Sequence, residues 1–232
     1  MNFFKKIFSS DSSEPPKEPP ISKFPELEDA WQHFKKEEFE QSIEKASKSL
    51  NSSKLKIKNE ANKLIALSNF RLGDYGTSRI IFKELVVNSK NPDDWFNLVT
   101  SATLNNEIEL GKQAFDKAIE LYRKNGKKDN LSVPSMMFYY MQCLKDIKCY
   151  DLAFEQLDGL RKIYTDLKIT DSTFLYLRGV PFFEHSIDAS EEILINLDPQ
   201  IVKDWLTQFK KSVDDDGQQY LAEFEQKLNY VS

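Results

Sequence analysis

The sequence predicts an all-α fold, and three observations carry that expectation. From Pro25 onward apolar residues recur every three or four positions, the spacing of a single buried stripe along a helix. Alternation at period two, which would lay out a strand, is missing over any useful length. Gly, Asn, Asp and Pro interrupt the apolar stripes at intervals of ten to twenty residues, so the chain reads as a string of helices joined by short turns.

Composition agrees with a folded, water-facing protein. The chain has 232 residues, 40% of them hydrophobic, enough for a continuous core. A net charge of −5 gives no basic surface of the kind that phosphate recognition uses, so nucleic acid is not an expected partner. No apolar run approaches the roughly 20 residues that span a bilayer, and no secretory signal opens the chain, so the expected location is the cytoplasm.

Residues 1–25 form the first expected region, a flexible tail. Phe3, Phe4, Ile7 and Phe8 fall at helical spacing around Lys5 and Lys6, a short amphipathic turn that would serve as a membrane or partner hook. Two lysines are few beside the polybasic clusters that hold membranes, and an untethered start is the preferred reading. Ser9 to Pro25 is rich in Ser, Pro and Glu and buries too little apolar surface to offset the entropy of ordering.

Residues 26–170 carry an internal repeat. Four segments superimpose on a large apolar residue, then a small or apolar one three, seven and ten positions on: Phe39, Ser42, Ala46 and Ser49; Tyr75, Ser78, Phe82 and Leu85; Ile108, Gly111, Phe115 and Ala118; Tyr150, Ala153, Leu157 and Leu160. Their first residues lie 36, 33 and 42 positions apart. A second helix precedes each, holding Ala30, then Ile65 and Ala66, then Leu98 and Val99, then Tyr140 and Met141. Each unit is thus expected to be a helix pair, with Ser78, Gly111 and Ala153 as spacers that let its two helices approach. Stacked pairs sharing one core make an α-solenoid of antiparallel helices.

This arrangement resembles the tetratricopeptide repeat (TPR) family, whose unit of 34 residues sets Trp, Leu-Gly and Tyr on its first helix and Ala, Phe, Ala and Pro on its second. Gly73, Asp74 and Tyr75 look like the family's inter-helix turn, with Ser78, Phe82 and Pro92 at its Ala, Phe and Pro positions; Trp95, Leu98, Phe115 and Ala118 match in the third unit. The resemblance covers about Phe24 to Asp166. The pattern departs from the family in a longer connection, Lys124 to Val133, before the fourth unit, and in the lack of a Gly between the helices of the first.

Residues 171–232 are expected to be a degenerate repeat and C-terminal capping helices. Phe174 to Arg178 would start a shortened fifth unit that breaks at Gly179 and Pro181. Pro199 opens a helix with Ile201, Val202, Trp205, Leu206 and Phe209 on one face, and Asp214 to Gly217 leads into another with Tyr220, Leu221, Phe224 and Leu228. A terminal polar-faced helix seals the last core layer of a solenoid.

Little in the chain suggests chemistry. There are two histidines, His33 and His185, seven glycines, and none of the patterns that mark acyl transfer, zinc hydrolysis or a phosphate-binding loop. Cys143 and Cys149 lie six apart in a helical stretch, face different ways and read as free thiols. No metal site or cofactor is expected, and Asp214, Asp215 and Asp216 before Gly217 read as a helix cap rather than a calcium loop.

The resemblance implies a non-catalytic interaction scaffold in which the first helices of successive pairs line a concave groove. The groove candidates are Trp31, Phe34, Lys63, Leu67, Phe70, Arg71, Phe96, Phe138, Gln142 and Lys145. Aromatics at helical spacing serve a core as readily as a binding site, and both roles stay open for Phe34 and Phe70. Where the family's chaperone-tail binders hold a terminal carboxylate with Lys and Asn, this chain has Leu27, Trp31 and Leu67, which disfavours that role. Charge is uneven: Lys54 to Lys90 is net +5 and residues 171–232 are net −7. An acidic peptide would be steered to the first stretch and a basic protein to the second. The alternatives to an adaptor are a stoichiometric inhibitor of the immunity or antitoxin type, using its acidic end, and a helical enzyme built on carboxylates such as Glu191 and Glu192.

Overall fold

The computed structural model describes residues 23–126 and 129–231, with side chains to Leu228; the amphipathic start and most of the tail fall outside these residues. Every regular element in the described chain is helical. Two compact units divide it, residues 1–88 and 89–232. The division falls within the expected run of repeats, after its second helix pair, and groups the C-terminal helices with the third and fourth pairs.

In the first unit, α1 (Glu28–Lys35) packs on α2 (Phe39–Ser47), and α3 (Leu55–Leu72) on α4 (Tyr75–Leu85). α3 also packs on α1 and α2. Leu27, Ala30, Ala46, Ile57, Ala61, Leu64 and Ile65 form the core, with Trp31, Phe34, Ile43 and Ile81 against it. The second unit opens with α5 (Pro92–Leu104) on α6 (Ile108–Asn125) and α7 (Val133–Asp146) on α8 (Tyr150–Leu167), and α5 also touches α7. Proline in the first turn and a side-chain cap start α5 and α7: Asn91 accepts from the Asp93 amide at 3.2 Å and Ser132 from the Ser135 amide at 3.2 Å.

One turn closes all four helix pairs. At Glu37, Gly73, Asn106 and Lys148 the backbone is left-handed, with φ of 60°, 86°, 61° and 62°. Each of these amides donates to the carbonyl three residues back (Phe34, Phe70, Thr103, Lys145), and the next amide donates to the carbonyl five residues back (His33, Asn69, Ala102, Leu144). This is the Schellman arrangement, which satisfies the last carbonyls of the first helix. In every case the left-handed residue stands two positions before Phe39, Tyr75, Ile108 or Tyr150, so the repeat register is written in backbone geometry as well as in side chains.

Of these four turns only the one at Gly73 carries no Cβ penalty. Lys148→Gly is therefore expected to raise unfolding free energy by about 0.5–1 kcal/mol, with a smaller gain for Asn106→Gly because Asn tolerates this conformation. Chemical denaturation measures both; a loss of stability in Lys148→Gly would contradict the strain assigned to that turn.

The small residues expected to act as spacers, Ser78, Gly111 and Ala153, are buried, and so is Ser42 at the same place in the first pair. Ser42 and Ser68 also carry a polar link, since the Ser68 hydroxyl donates to Ser42 at 3.2 Å and the Ser42 hydroxyl donates to the Ala30 carbonyl at 3.0 Å. The long connection before α7 is pinned by Asp93 and Asn91. Asn130 donates to Asp93 at 2.8 Å and to Asn91 at 3.1 Å, and the Leu131 amide donates to Asp93 at 3.0 Å.

The C-terminal region is helical throughout, and it contains more helices than the sequence reading placed. α9 (Ser172–Leu177) ends in a fifth turn of the same kind, with Gly179 at φ 65° donating to Tyr176 and Val180 to Leu175. Two short helices follow, α10 (Phe183–Asp188) and α11 (Glu191–Ile195), which the reading missed. Then come the expected α12 (Pro199–Lys210) and α13 (Asp215–Val231). Val202, Trp205, Leu206 and Phe209 are buried as expected, whereas Ile201 is exposed. Asp214 ties the start of α13 to the connection between α8 and α9, accepting from the Thr170 amide at 2.8 Å, the Thr170 hydroxyl at 2.6 Å and the Gly217 amide at 3.2 Å. Burial pushes its carboxyl pKa up, and those bonds outweigh burial and hold it below the usual value. Asp214 thus has the capping role expected of this acidic run.

Tyr164 of α8 sits at the centre of the second unit's aromatic cluster. Its ring meets Phe183 edge-on at 5.2 Å and stacks with Phe209 at 6.3 Å. Its hydroxyl donates to the Pro181 carbonyl at 2.8 Å and shares a bond with Ser186 at 2.9 Å. Asp158, one and a half turns earlier, accepts from the Trp205 indole at 3.0 Å and the Arg161 guanidinium at 2.7 Å.

Candidate functional site

The ten groove candidates separate by unit. In the second unit Phe96 is 7% exposed, Phe138 4% and Gln142 0%, so each is covered where it stands and serves packing. Phe138 is covered in part by His185 of α10, whose ring meets it edge-on at 5.2 Å. Gln142 is the more unusual of the three: both atoms of its amide are buried with no hydrogen-bond partner among the described residues. Lys145, half-buried, stands at the end of α7, where its carbonyl accepts from the Lys148 amide at 2.8 Å.

In the first unit all six candidates are half-buried, with an inner side on the protein and an outer side on solvent. α1 supplies Trp31 and Phe34, which meet edge-on at 5.6 Å. Phe34 continues to Phe39 of α2 at 5.5 Å, and Arg71 of α3 lays its guanidinium over the Phe39 ring, 5.2 Å from its centre. The same guanidinium donates to Glu37 at 3.2 Å. Three helices are thus joined by one run of contacts, Trp31, Phe34, Phe39 and Arg71. Phe39 and Glu37 belong to this run although the sequence reading did not place them at the site; the hint was their position at the turn beside the repeat's first large residue.

Along α3, Lys63, Leu67 and Arg71 are spaced four apart and share one face, with Phe70 beside them. Phe70 meets Tyr75 of α4 edge-on at 5.3 Å. The face therefore offers two aromatic rings from α1, an aliphatic and an aromatic side chain from α3, and two cations. What this set can do chemically is bury apolar groups and pair with anions.

Among the described residues no group of His, Cys, Asp and Glu has the makings of a metal site, and Cys143 and Cys149 are free thiols. Cys143 is buried, and burial raises its pKa well above the ordinary thiol value, which keeps it protonated and unreactive. No helix among the described residues is long and apolar enough to cross a membrane. No protein-family model matches the chain, and no curated protein matches it.

Proposed function

We propose that this protein is a non-catalytic interaction scaffold of TPR-like helix pairs, acting in the cytoplasm and binding a partner protein or peptide along the first helices of its hairpins. The observation that supports this is the half-exposed face of α1 and α3 in the first unit, where Trp31, Phe34, Lys63, Leu67, Phe70 and Arg71 combine aromatic anchors with cations. Such side chains bury large area at low entropic cost and dominate the energetics of interfaces. In the second unit the corresponding aromatics are covered, so the first unit provides the leading contact.

Leu67→Asp tests this. It places a carboxylate on a half-buried position in the middle of the face, and it is expected to weaken binding of the native partner by about tenfold or more, with the helical signal showing that the variant is still folded. Titration of the complex partner purified from the native source measures the effect. Unchanged affinity would remove this face from the function.

A second reading, a stoichiometric inhibitor of a basic protein, is favoured by one feature of the second unit. Tyr176 and Leu177 of α9 are 71% and 74% exposed, within a C-terminal region of net charge −7. Large apolar side chains bared on an acidic surface suit a folded, cationic partner. Loss of partner binding in Tyr176→Ser combined with Leu177→Ser, but not in Leu67→Asp, would favour that reading.

A further inference from the structure

We propose that the chain's own residues 3–18 occupy the α1 and α3 face, with their carboxylates at the start of α3 and Phe3, Phe4, Ile7 and Phe8 toward its end, so that a partner binds there by displacing them. This rests on the reading of that face as the binding surface and adds its regulation: a tethered competitor covers the site until a tighter ligand arrives.

An open cleft of about 600 Å³ lies at the start of α3, between Lys23 to Glu26 and Lys54 to Ile57. Lys23 is the first described residue, so residues 1–22 are tethered at the rim of this cleft. Three ammonium groups, Lys23, Lys54 and Lys56, border it against a single carboxylate, Glu26. Glu26 reaches Lys54 at 3.6 Å, and with both side chains well exposed the pair neutralises little of this charge. Leu55, 68% exposed, gives the cleft an apolar lip.

The cleft and the face share a line. Lys56, Lys63 and Phe70 are seven residues apart, and each such step falls only about 20° short of two full turns, so the three lie along one side of α3. Glu60 stands on the same side between the two lysines, and Leu67 one turn beyond Lys63. From Lys56 to Phe70 the helix rises about 21 Å. Positive charge is greatest at the cleft, and apolar surface is greatest at the far end, where Phe34 of α1 connects through Phe39 to Arg71.

Outward from Lys23, the tail has the same order. Glu18, Glu14 and Asp11 come first, with one ammonium group, Lys17, among them; Phe8, Ile7, Phe4 and Phe3 follow. Glu18 is five residues from Lys23, a reach of at most about 18 Å, and Phe8 is ten further, at most about 36 Å. The acids can therefore meet the cleft lysines while the apolar residues span the 21 Å or so to Leu67 and Phe70. Lys5 and Lys6 carry the same charge as Lys63 and Arg71, so apolar contact and not charge holds that end. A separate segment of this chemistry would make the same contacts, but the tether gives the tail a local concentration of about millimolar. With contacts equal, the tether decides the occupant.

The full-length chain carrying the photoreactive substitution Phe8→benzoylphenylalanine supplies the first probe. Irradiation is expected to join this side chain to α1 or α3 of the same chain, with a yield that falls about tenfold in Lys54→Glu combined with Lys56→Glu, a difference that shrinks at high salt. Peptides selected from a random displayed library on the variant with Phe3, Phe4, Ile7 and Phe8 all changed to Ser supply the second, and are expected to bind that variant about tenfold more tightly than the unaltered chain. Cross-links scattered along the chain, or unaffected by the double lysine variant, would overturn the proposal. Cross-links joining two copies would overturn it too, by making the occupant a neighbour's tail. Peptides that bind both forms equally yet lose affinity for Leu67→Asp would overturn occupancy by the tail while leaving the face as the binding surface. Cross-links on α3 with no peptide that responds to Leu67→Asp would keep the tail in its place and remove the face from partner binding.

Discussion

Tyr164→Ala is expected to destabilise the second unit by about 3–5 kcal/mol, and to lower its melting temperature by roughly ten degrees. The buried ring is held between Phe183 and Phe209, and truncation leaves a cavity where three segments of chain meet: α8, the start of α10 and α12. The hydroxyl adds a smaller part, because its loss leaves the Pro181 carbonyl without that donor and Ser186 without its partner. Tyr164→Phe keeps the ring and removes only that oxygen, at an expected cost of about 1–2 kcal/mol. Calorimetry of the two variants separates packing from hydrogen bonding. If the alanine and phenylalanine variants melted within a degree of each other, the aromatic cluster would not be what joins the C-terminal helices to α8.

The other large effect is expected at Gly111. A Cβ built there falls well inside contact distance of the Thr103 hydroxyl oxygen, and within 3.5 Å of the Val99 carbonyl oxygen. Gly111→Leu should therefore force α5 and α6 apart and cost about 3 kcal/mol or more, at or beyond the upper end for overpacking. The obstacle at closest range is one hydroxyl, on a β-branched side chain confined to two rotamers in a helix. Gly111→Ala should accordingly be destabilising alone and largely rescued by Thr103→Ala. Equal stabilities with and without Thr103→Ala would place the strain elsewhere. Gly159 offers a built-in contrast: the atom a Cβ would meet there is the terminal methyl of Met137, a flexible chain end that can swing aside.

The helix pairs and their register were legible because the repeat sets both side chains and turns. Phe39, Tyr75, Ile108 and Tyr150 stand in the same place after each turn, and the buried Ser42, Ser78, Gly111 and Ala153 follow three residues later. The left-handed turns themselves left little mark, since only Gly73 and, more weakly, Asn106 are residues that favour this conformation, while Glu37 and Lys148 do not. Short helices such as α10 and α11 escaped because five or six residues do not establish a period. The candidate face was half legible. Periodicity puts Phe138 on a particular side of α7, but it does not say that His185, 47 residues on, will cover that side. For Trp31, Phe34, Leu67 and Phe70 the same periodicity left core and surface open, and the structure places them between the two.

The corners of the helix pairs have one further consequence. They are held by amides and carbonyls, so the side chains at those vertices are at liberty to do something else. Glu37 extends to Arg71, while Asp74, one residue past Gly73, reaches forward to the Thr77 amide at 2.9 Å. Where the side chain caps no helix, as at Glu37, it can be replaced without rerouting the chain, whereas Asp74 caps α4 and cannot be exchanged as freely.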